Sequence, residues 1–446
     1  MNKKESFGKT VIRIAVPVTL QSLLQSSFSV IDQLMIGKLG SESIAGVGLG
    51  GKFSSIYSVL LGALAAVAGI MVSQYMGQRD EKEVSRSFFA NLILAMGLAV
   101  GFMGICLAMP GQIMWIYTKD EATRQIAAGY LMVIAFSFLP MAVSNIVSTL
   151  LRCMEVAMLP LYATIAGAVL NTGLNYLLIF GKMGLPELGV TGAALATTIS
   201  QFGACGLTLY FFIRHYRKQE LKLTFLWRFN KEKRLQFVGI LLPILVCEFL
   251  WSLGENVYTA IYGNIGTDAC AAMTLTVPIQ TLLIGALSGL SQAASIIIGK
   301  SLGSREYEKA YGESKKLMLY GFCGSVLLSL VLLAVGKFYV QIYQVEPEVR
   351  TTAWYLLIAF AIISPVKVQN MILGGGIIRS GGKTNYVMWI DIIGTWVFGV
   401  PLGLLSAFVL KLSIPYVYFI LSLEECVRFV ISLVIFKKKI WMRSII

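Results

Sequence analysis

The chain contains itself twice. Residues 17–140 recur as residues 243–365 at a nearly constant offset of 226. Pro17 matches Pro243, and Gly37-Lys38-Leu39-Gly40-Ser41 matches Gly263-Asn264-Ile265-Gly266-Thr267. Gly77 matches Gly303, Ile116-Tyr117 matches Ile342-Tyr343, and Arg124 matches Arg350. The register slips by one only near Pro140/Pro365 and Arg152/Arg379. Two copies of one apolar unit in a single chain are the construction of many secondary transporters, whose substrate site lies between the repeats.

Composition says where the copies reside. Of the 446 residues 57% are hydrophobic and only 13% are charged, with a mean hydropathy of +0.75. Soluble domains carry about 25% charged residues. Most of this chain is therefore expected to lie in lipid. The polar amino end, Met1–Thr10, leads into an apolar run without a small-residue cleavage site, so that run is expected to remain as the first span. The seven cysteines stand singly in apolar segments without ligand spacing, and the one histidine, His215, falls in a basic loop. Neither a metal centre nor a catalytic triad is expected, and no cofactor is implied.

A span needs about 20 largely apolar residues. Twelve such stretches are expected, near 11–36, 44–75, 87–110, 124–149, 158–182, 190–214, 235–263, 268–302, 313–337, 350–375, 383–408 and 413–436. Six per half is an even number, so both halves enter the membrane in the same direction. The fold expected is an all-α membrane protein of 12 transmembrane helices. They form two six-helix bundles related by a pseudo-two-fold axis along the membrane normal. Residues 1–214 make the first bundle, 215–234 a basic cytoplasmic linker, and 235–446 the second bundle.

Charge orients the chain. The termini and the even-numbered connections carry 27 Lys and Arg, the other connections carry 8, and Lys367 and Arg428 remain inside spans. The positive-inside rule places both termini in the cytoplasm of a multi-pass plasma-membrane protein. The net charge of +14 is thus a topology signal and not a nucleic-acid patch. The linker's natural neighbour is membrane lipid with anionic headgroups.

Ionisable groups at membrane depth are costly, which makes each a functional candidate. Asp32 lies fifteen residues after Pro17, and a proline inside a helix removes a hydrogen bond and kinks it. A buried acid there can bind a sodium ion, or hold a proton because burial disfavours its charged form. The alternative is a wet, paired acid near the outer mouth. The second-half counterpart of Asp32 is Tyr258. Asn171 and Asn175 share one helix face at i, i+4. With Asp32 and Thr197 or Thr198 they could supply oxygen ligands for a hard cation. They could equally form a helix-to-helix network without an ion.

Glu248 and Glu255 follow Pro243 two helical turns apart, with Trp251 near and Tyr258 continuing the stripe. Acids beside aromatic rings suit an organic cation, unless Glu255 only pairs with Lys367. Asp391 stands alone in a Gly/Trp-rich span and could line the cleft. Glu424, Glu425 and Arg428 read as a self-neutralising cluster, and Pro17 and Pro243 as hinges.

At these residues the chain resembles the multidrug and toxic compound extrusion (MATE) transporters. The resemblance is carried by Pro17…Val30-Ile31-Asp32…Gly37-Lys38-Leu39-Gly40 and its second copy from Pro243 to Gly266. Further matches are Ser73-Gln74-Tyr75-Met76-Gly77-Gln78-Arg79-Asp80, Asn171-x3-Asn175-Tyr176, Gly189-Val190-Thr191-Gly192-Ala193-Ala194 and Ile378-Arg379-Ser380-Gly381-Gly382. It implies a V-shaped pair of bundles that expels cationic or amphipathic compounds in exchange for sodium or protons. It places Asp32 on the family's functional acid in helix 1, and Asn171 and Thr197 on its cation ligands in helices 5 and 6. Two departures stand out. The family's Asn-x3-Asp is Asn-x3-Asn here, which removes a carboxylate and turns the expectation towards protons. In helix 7, Trp251 stands where one branch has an acid, and Glu248 resembles the acid of more proton-linked branches.

The expected activity is therefore cation-coupled antiport of small organic cations by alternating access, from a chain acting as a monomer. A flippase of the same superfamily would call for more arginine lining the cleft, to hold a lipid-linked pyrophosphate. A membrane-embedded enzyme would need a nucleophile–base pair or metal set that one loop histidine does not supply. A channel would normally be a symmetric oligomer.

Overall fold

The computed structural model describes residues 6–217, 223–226, 230–343 and 345–444. Among them there is helix and no strand. The long helices are α1 Phe7–Gly37, α2 Ser41–Gln78, α3 Glu81–Ala108, α4 Glu121–Cys153, α5 Met158–Ile179 and α6 Gly189–Tyr216 in the first half, with a short helix Pro110–Tyr117 between α3 and α4. The second half has α7 Lys231–Ile265, α8 Thr267–Gly303, α9 Tyr307–Gln341, α10 Pro347–Ile378 and α11 Thr384–Val409. These eleven are long and apolar enough to cross a membrane. The twelfth expected span is broken. It consists of α12 Ile414–Ser422 and α13 Glu424–Lys437, separated at Leu423. Part of the expected linker, including Lys218, Lys222 and Arg228, lies outside the described residues.

Apolar composition makes these helices, and their surfaces fit lipid. Leu327, Leu330, Val331 and Phe338 on α9 are largely uncovered. Such a surface would aggregate in water, whereas in a bilayer the helix satisfies its backbone internally and its side chains lie against acyl chains. Helix starts are built locally: Asp80 accepts from the Glu83 N–H and Asp120 from the Thr123 N–H. Both are N-caps that satisfy a first-turn donor.

The chain groups into two compact units, which divide at Asn230/Lys231 in the linker and also within α1 and near the end of α2. The amino unit holds Leu20–Val72 and Arg79–Asn230. The carboxyl unit holds the residues from Lys231 onward, together with those up to Thr19 and Ser73–Gln78. The reason is close helix approach in the carboxyl unit. Thr19 donates to the Ala286 carbonyl at 3.2 Å, and a Cβ on Gly289 would collide with the Ala15 carbonyl. The repeated glycines meet reciprocally: a Cβ on Gly77 would strike the Lys300 carbonyl, and one on Gly303 that of Gln74. Small residues let membrane helices pack at this range.

Within the amino unit, α5 packs along α6, and α4 along α3 and α6. Tyr57 of α2 stacks on Phe138 of α4, with centroids 4.4 Å apart, and donates to its carbonyl at 2.7 Å. Within the carboxyl unit, α10 is the central helix, packed on α8, α9 and α12, while α11 packs on α7. Three stretches of this unit, Met371–Ile378, Ile393–Gly399 and Leu405–Val409, wind as π-helix. π-segments are rare and recur at functional sites. The amino unit has none among its described residues.

Candidate functional site

Four side chains from three helices meet in the amino unit. α1 presents Asp32, fifteen residues beyond the internal Pro17. α5 turns Asn171 and Asn175 towards it, one above the other, and α6 adds Thr197. Asn175 Nδ2 donates to Asp32 Oδ1 at 2.7 Å. The Asn171 amide is oriented by its network. Its nitrogen donates to the two Asp32 oxygens at 2.9 and 3.1 Å, and its oxygen accepts from Thr197 Oγ1 at 3.3 Å. Asn171 and Asn175 are buried and Asp32 is half-buried. The sequence-derived set of Asp32, Asn171, Asn175 and Thr197 is therefore one cluster. Thr198, the other hydroxyl considered, instead donates to Val133 and Ala194 carbonyls.

The cluster lies on a cavity of about 850 Å³ within this unit, lined among others by Gln33, Lys52 and Tyr130. Ligand pockets are typically about 300–1,000 Å³. Tyr130 comes from α4, where a Cβ on Gly50 of α2 would press into its ring. Sequence reading did not include Tyr130 or Lys52. Both belong to ordinary amphipathic positions, and only packing brings them here.

The chemistry of the set is specific. A carboxamide can present N–H to a carboxylate or, rotated by half a turn, oxygen to a hydroxyl or a cation. Asn171 and Asn175 offer N–H to Asp32, the pattern that suits a charged carboxylate. Asn175 Oδ1 is buried without a hydrogen-bond partner. The Asn175 oxygen and the Asp32 carboxylate are oxygen groups of the kind a hard cation takes as ligands.

The second-half candidates are distributed differently. Trp251 and Glu255 are exposed on α7, while Tyr258 on the same helix is buried and donates its hydroxyl to Glu424 Oε2. The expected stripe of acid and rings is thus split between a surface and a core. Glu248 pairs with Arg379 at 3.6 Å. Lys367 lies 3.9 Å from Glu425, not in the pair with Glu255 that sequence offered. Asp391 does not stand alone: it lies 3.5 Å from Arg428 and accepts from the Cys247 thiol. Arg428 is also 3.5 Å from Glu424 and donates to Thr395. Asn370 donates to both the carbonyl and Oε2 of Glu425 at 2.8 Å. Glu424, Glu425 and Arg428, only 6–8% exposed, are therefore the centre of this network and not a local self-neutralising triplet. The π-segment 393–399 makes the space. A Cβ on Gly394 would enter the Arg428 side chain, and one on Gly399 would enter the Tyr258–Glu424 contact.

Just past the two prolines, the repeat builds the same relay twice. In the amino unit Arg152 donates to Gln21 Oε1 at 2.8 Å, and Gln21 Nε2 donates to Thr164 Oγ1 at 2.8 Å. In the carboxyl unit Arg379 approaches Cys247 Sγ at 3.8 Å, and Cys247 bonds Asp391. The three positions correspond at offsets of 226 and 227. The Arg152/Arg379 match was visible in the sequence. Its partners were not, because both arginines counted there as loop charge.

Eleven long apolar helices and a broken twelfth stretch among the described residues, in two copies of one repeat, with a carboxylate beside a ligand-sized cavity, mark a membrane transporter. The MatE family model matches residues 17–177 and again 243–405, once in each half. The chain belongs to this family, the MATE transporters. It is 22% identical over 433 residues to the uncharacterized transporter YisQ of Bacillus subtilis, covering 96% of this chain and 94% of that one. It is 25% identical over 410 residues to the probable multidrug resistance protein NorM of Bacillus licheniformis, covering 89% and 88%. Its fold matches crystal structures of MATE in complex with MaL6 (TM-score 0.89, 18% identity, 98% of this chain and 97% of that one). It also matches a MOP-superfamily transporter from Pyrococcus furiosus, described as having a binding pocket of reversed polarity (TM-score 0.88, 18% identity, 98% and 96%).

Proposed function

We propose that the chain is a proton-coupled antiporter that exports cationic or amphipathic organic compounds, with Asp32 as the coupling group. The observation that carries this reading is the single carboxylate of the amino-unit cluster. Asp32 is surrounded by carboxamides and a hydroxyl, with no cationic partner within 4 Å among the described residues. A lone carboxylate out of bulk water takes up a proton readily, and when charged it attracts an organic cation. Competition for one acid is the simplest form of exchange. Sodium binding improves with ligand charge, and a second carboxylate is missing here. The family membership and the NorM and YisQ relatives support export of small molecules and not enzymatic turnover.

The 27-to-8 division of Lys and Arg supports a plasma-membrane protein with both termini in the cytoplasm. The protein reconstituted in liposomes tests the mechanism. A proton gradient imposed without sodium should drive ethidium transport, with counter-movement of protons reported by an entrapped pH dye. Transport driven only by a sodium gradient would replace protons with sodium and leave the exporter reading standing.

A further inference from the structure

We propose that the buried network of the carboxyl unit is a second proton-binding site, with Glu424 as the group that carries the proton. The argument starts from charge. Glu424, Glu425 and Asp391 are three carboxylates, and the cations among them are Arg428 and Lys367. Glu248 and Arg379 close a pair of their own at 3.6 Å. With every group charged, the buried network carries one uncompensated negative charge. An uncompensated charge out of water is the costliest arrangement a protein can bury, and such a group neutralises instead.

Geometry selects Glu424. Glu425 has Lys367 and two bonds to Asn370. Asp391 has the Cys247 thiol, and its side chain is 22% exposed against 7% for Glu424. Glu424 has only Tyr258 and a half share of Arg428, which also serves Asp391 and Thr395. The other groups that face Glu424 are Tyr262 from α7, Lys367 from α10 and Glu425 on its own helix. None supplies the missing positive charge.

The network points to a proton and not to a metal ion. The Arg428 guanidinium already occupies the space between Asp391 and Glu424. Among the described residues no group of three His, Cys, Asp or Glu side chains is arranged to hold a metal. Arg428 Nε is itself buried without a partner, so the guanidinium has a donor to spare when either carboxylate changes its state. The break of the last span at Leu423 puts Glu424 in the first turn of α13, the end of a helix that favours a negative charge. Both states of the carboxyl thus have support, as a site that takes up and releases a proton needs.

The site is independent of Asp32, and the test keeps the two apart. Infrared difference spectra of the purified protein in detergent, recorded between acid and alkaline buffer, report carboxyl groups that lose a proton. Asp32→Asn should remove one part of the protonated-carboxyl band. Glu424→Gln should remove the part that Asp32→Asn retains, and the double variant should remove both. A monodisperse, fully helical Glu424→Gln protein with the wild-type band would overturn the proposal, whatever Asp32→Asn shows. Loss of the Glu424 part with an unchanged Asp32 part would uphold it even if Asp32 proves silent in transport. Should Glu424→Gln not fold, Tyr258→Phe deletes only the hydroxyl bonded to Glu424. It should displace the midpoint of that one component, and an unmoved titration overturns the proposal.

Discussion

The two halves of the repeat have put their acids on opposite helices. In the amino unit the carboxylate is Asp32 of α1, and α6 answers with Thr197. In the carboxyl unit the residue at the Asp32 position is Tyr258, and the carboxylate is Glu424 of α13. At the offset of 227 that pairs Arg152 with Arg379, Glu424 is the counterpart of Thr197. Acid and hydroxyl have exchanged sides across an equivalent pair of positions. Duplication thus preserved where polar groups meet, while the chemistry at the meeting point diverged.

The surroundings diverged with it. Asp32 sees carboxamides and a cavity, and its helices wind regularly. Glu424 sees arginine, tyrosine and a second acid, and the neighbouring α11 departs into π-helix to make room. A charge held by neutral donors can change its protonation with little rearrangement. A charge held in an ionic network is coupled to every member of it.

The largest expected effect falls on Asp32. Asp32→Asn keeps the size of the side chain, removes its charge and exchanges one acceptor oxygen for a donor, so gradient-driven ethidium efflux should drop to background in a protein that still inserts. Wild-type rates would dissolve the distinction between the units.

The next effect concerns stability. Arg428→Met leaves Asp391 and Glu424 without their shared cation, a change that costs about 3–5 kcal/mol when a buried pair is broken. Arg152→Met, whose partner Gln21 is neutral, should cost only about 1–3 kcal/mol. Thermal unfolding in detergent measures both. Equal losses would mean that the carboxyl-unit network is no more ionic in effect than its amino-unit counterpart.

Asn175→Asp sharpens the amino-unit site by adding the absent second carboxylate. Sodium should then bind more tightly, by on the order of tenfold, since hard-cation affinity follows ligand charge. Sodium-stimulated efflux in the variant, with none in the wild type, is the expected readout. No gain of sodium dependence would mean that something other than charge count sets the ion.

The smallest effect is expected at Glu255. The side chain is exposed on α7 near Trp251, and an exposed charge pair contributes about 0.2–1 kcal/mol. Glu255→Gln should raise the apparent KM for a cationic dye severalfold at most and leave a neutral one unchanged. Equal losses for both would assign Glu255 a structural role.

The repeat, the twelve apolar stretches and the amino-unit site were legible in the sequence. Periodicity and hydropathy are local properties of a chain. Asn171 and Asn175 fall at i, i+4 on one span, and Asp32 lies on a span whose register the repeat supports. An acid among lipid-facing residues announces itself by its cost.

The carboxyl unit was not legible in the same way. Glu248, Tyr258, Lys367 and Asp391 were singled out as cleft residues, yet each has a partner that no spacing indicates: Arg379, Glu424, Glu425 and Arg428. Their partners lie up to 166 residues away. Sequence by itself determined that these charges must be compensated, because lipid gives an ion no other choice. Which carboxylate meets which cation was decided only by tertiary packing, where glycines at 394 and 399 and a π-turn of α11 open the space in which they meet.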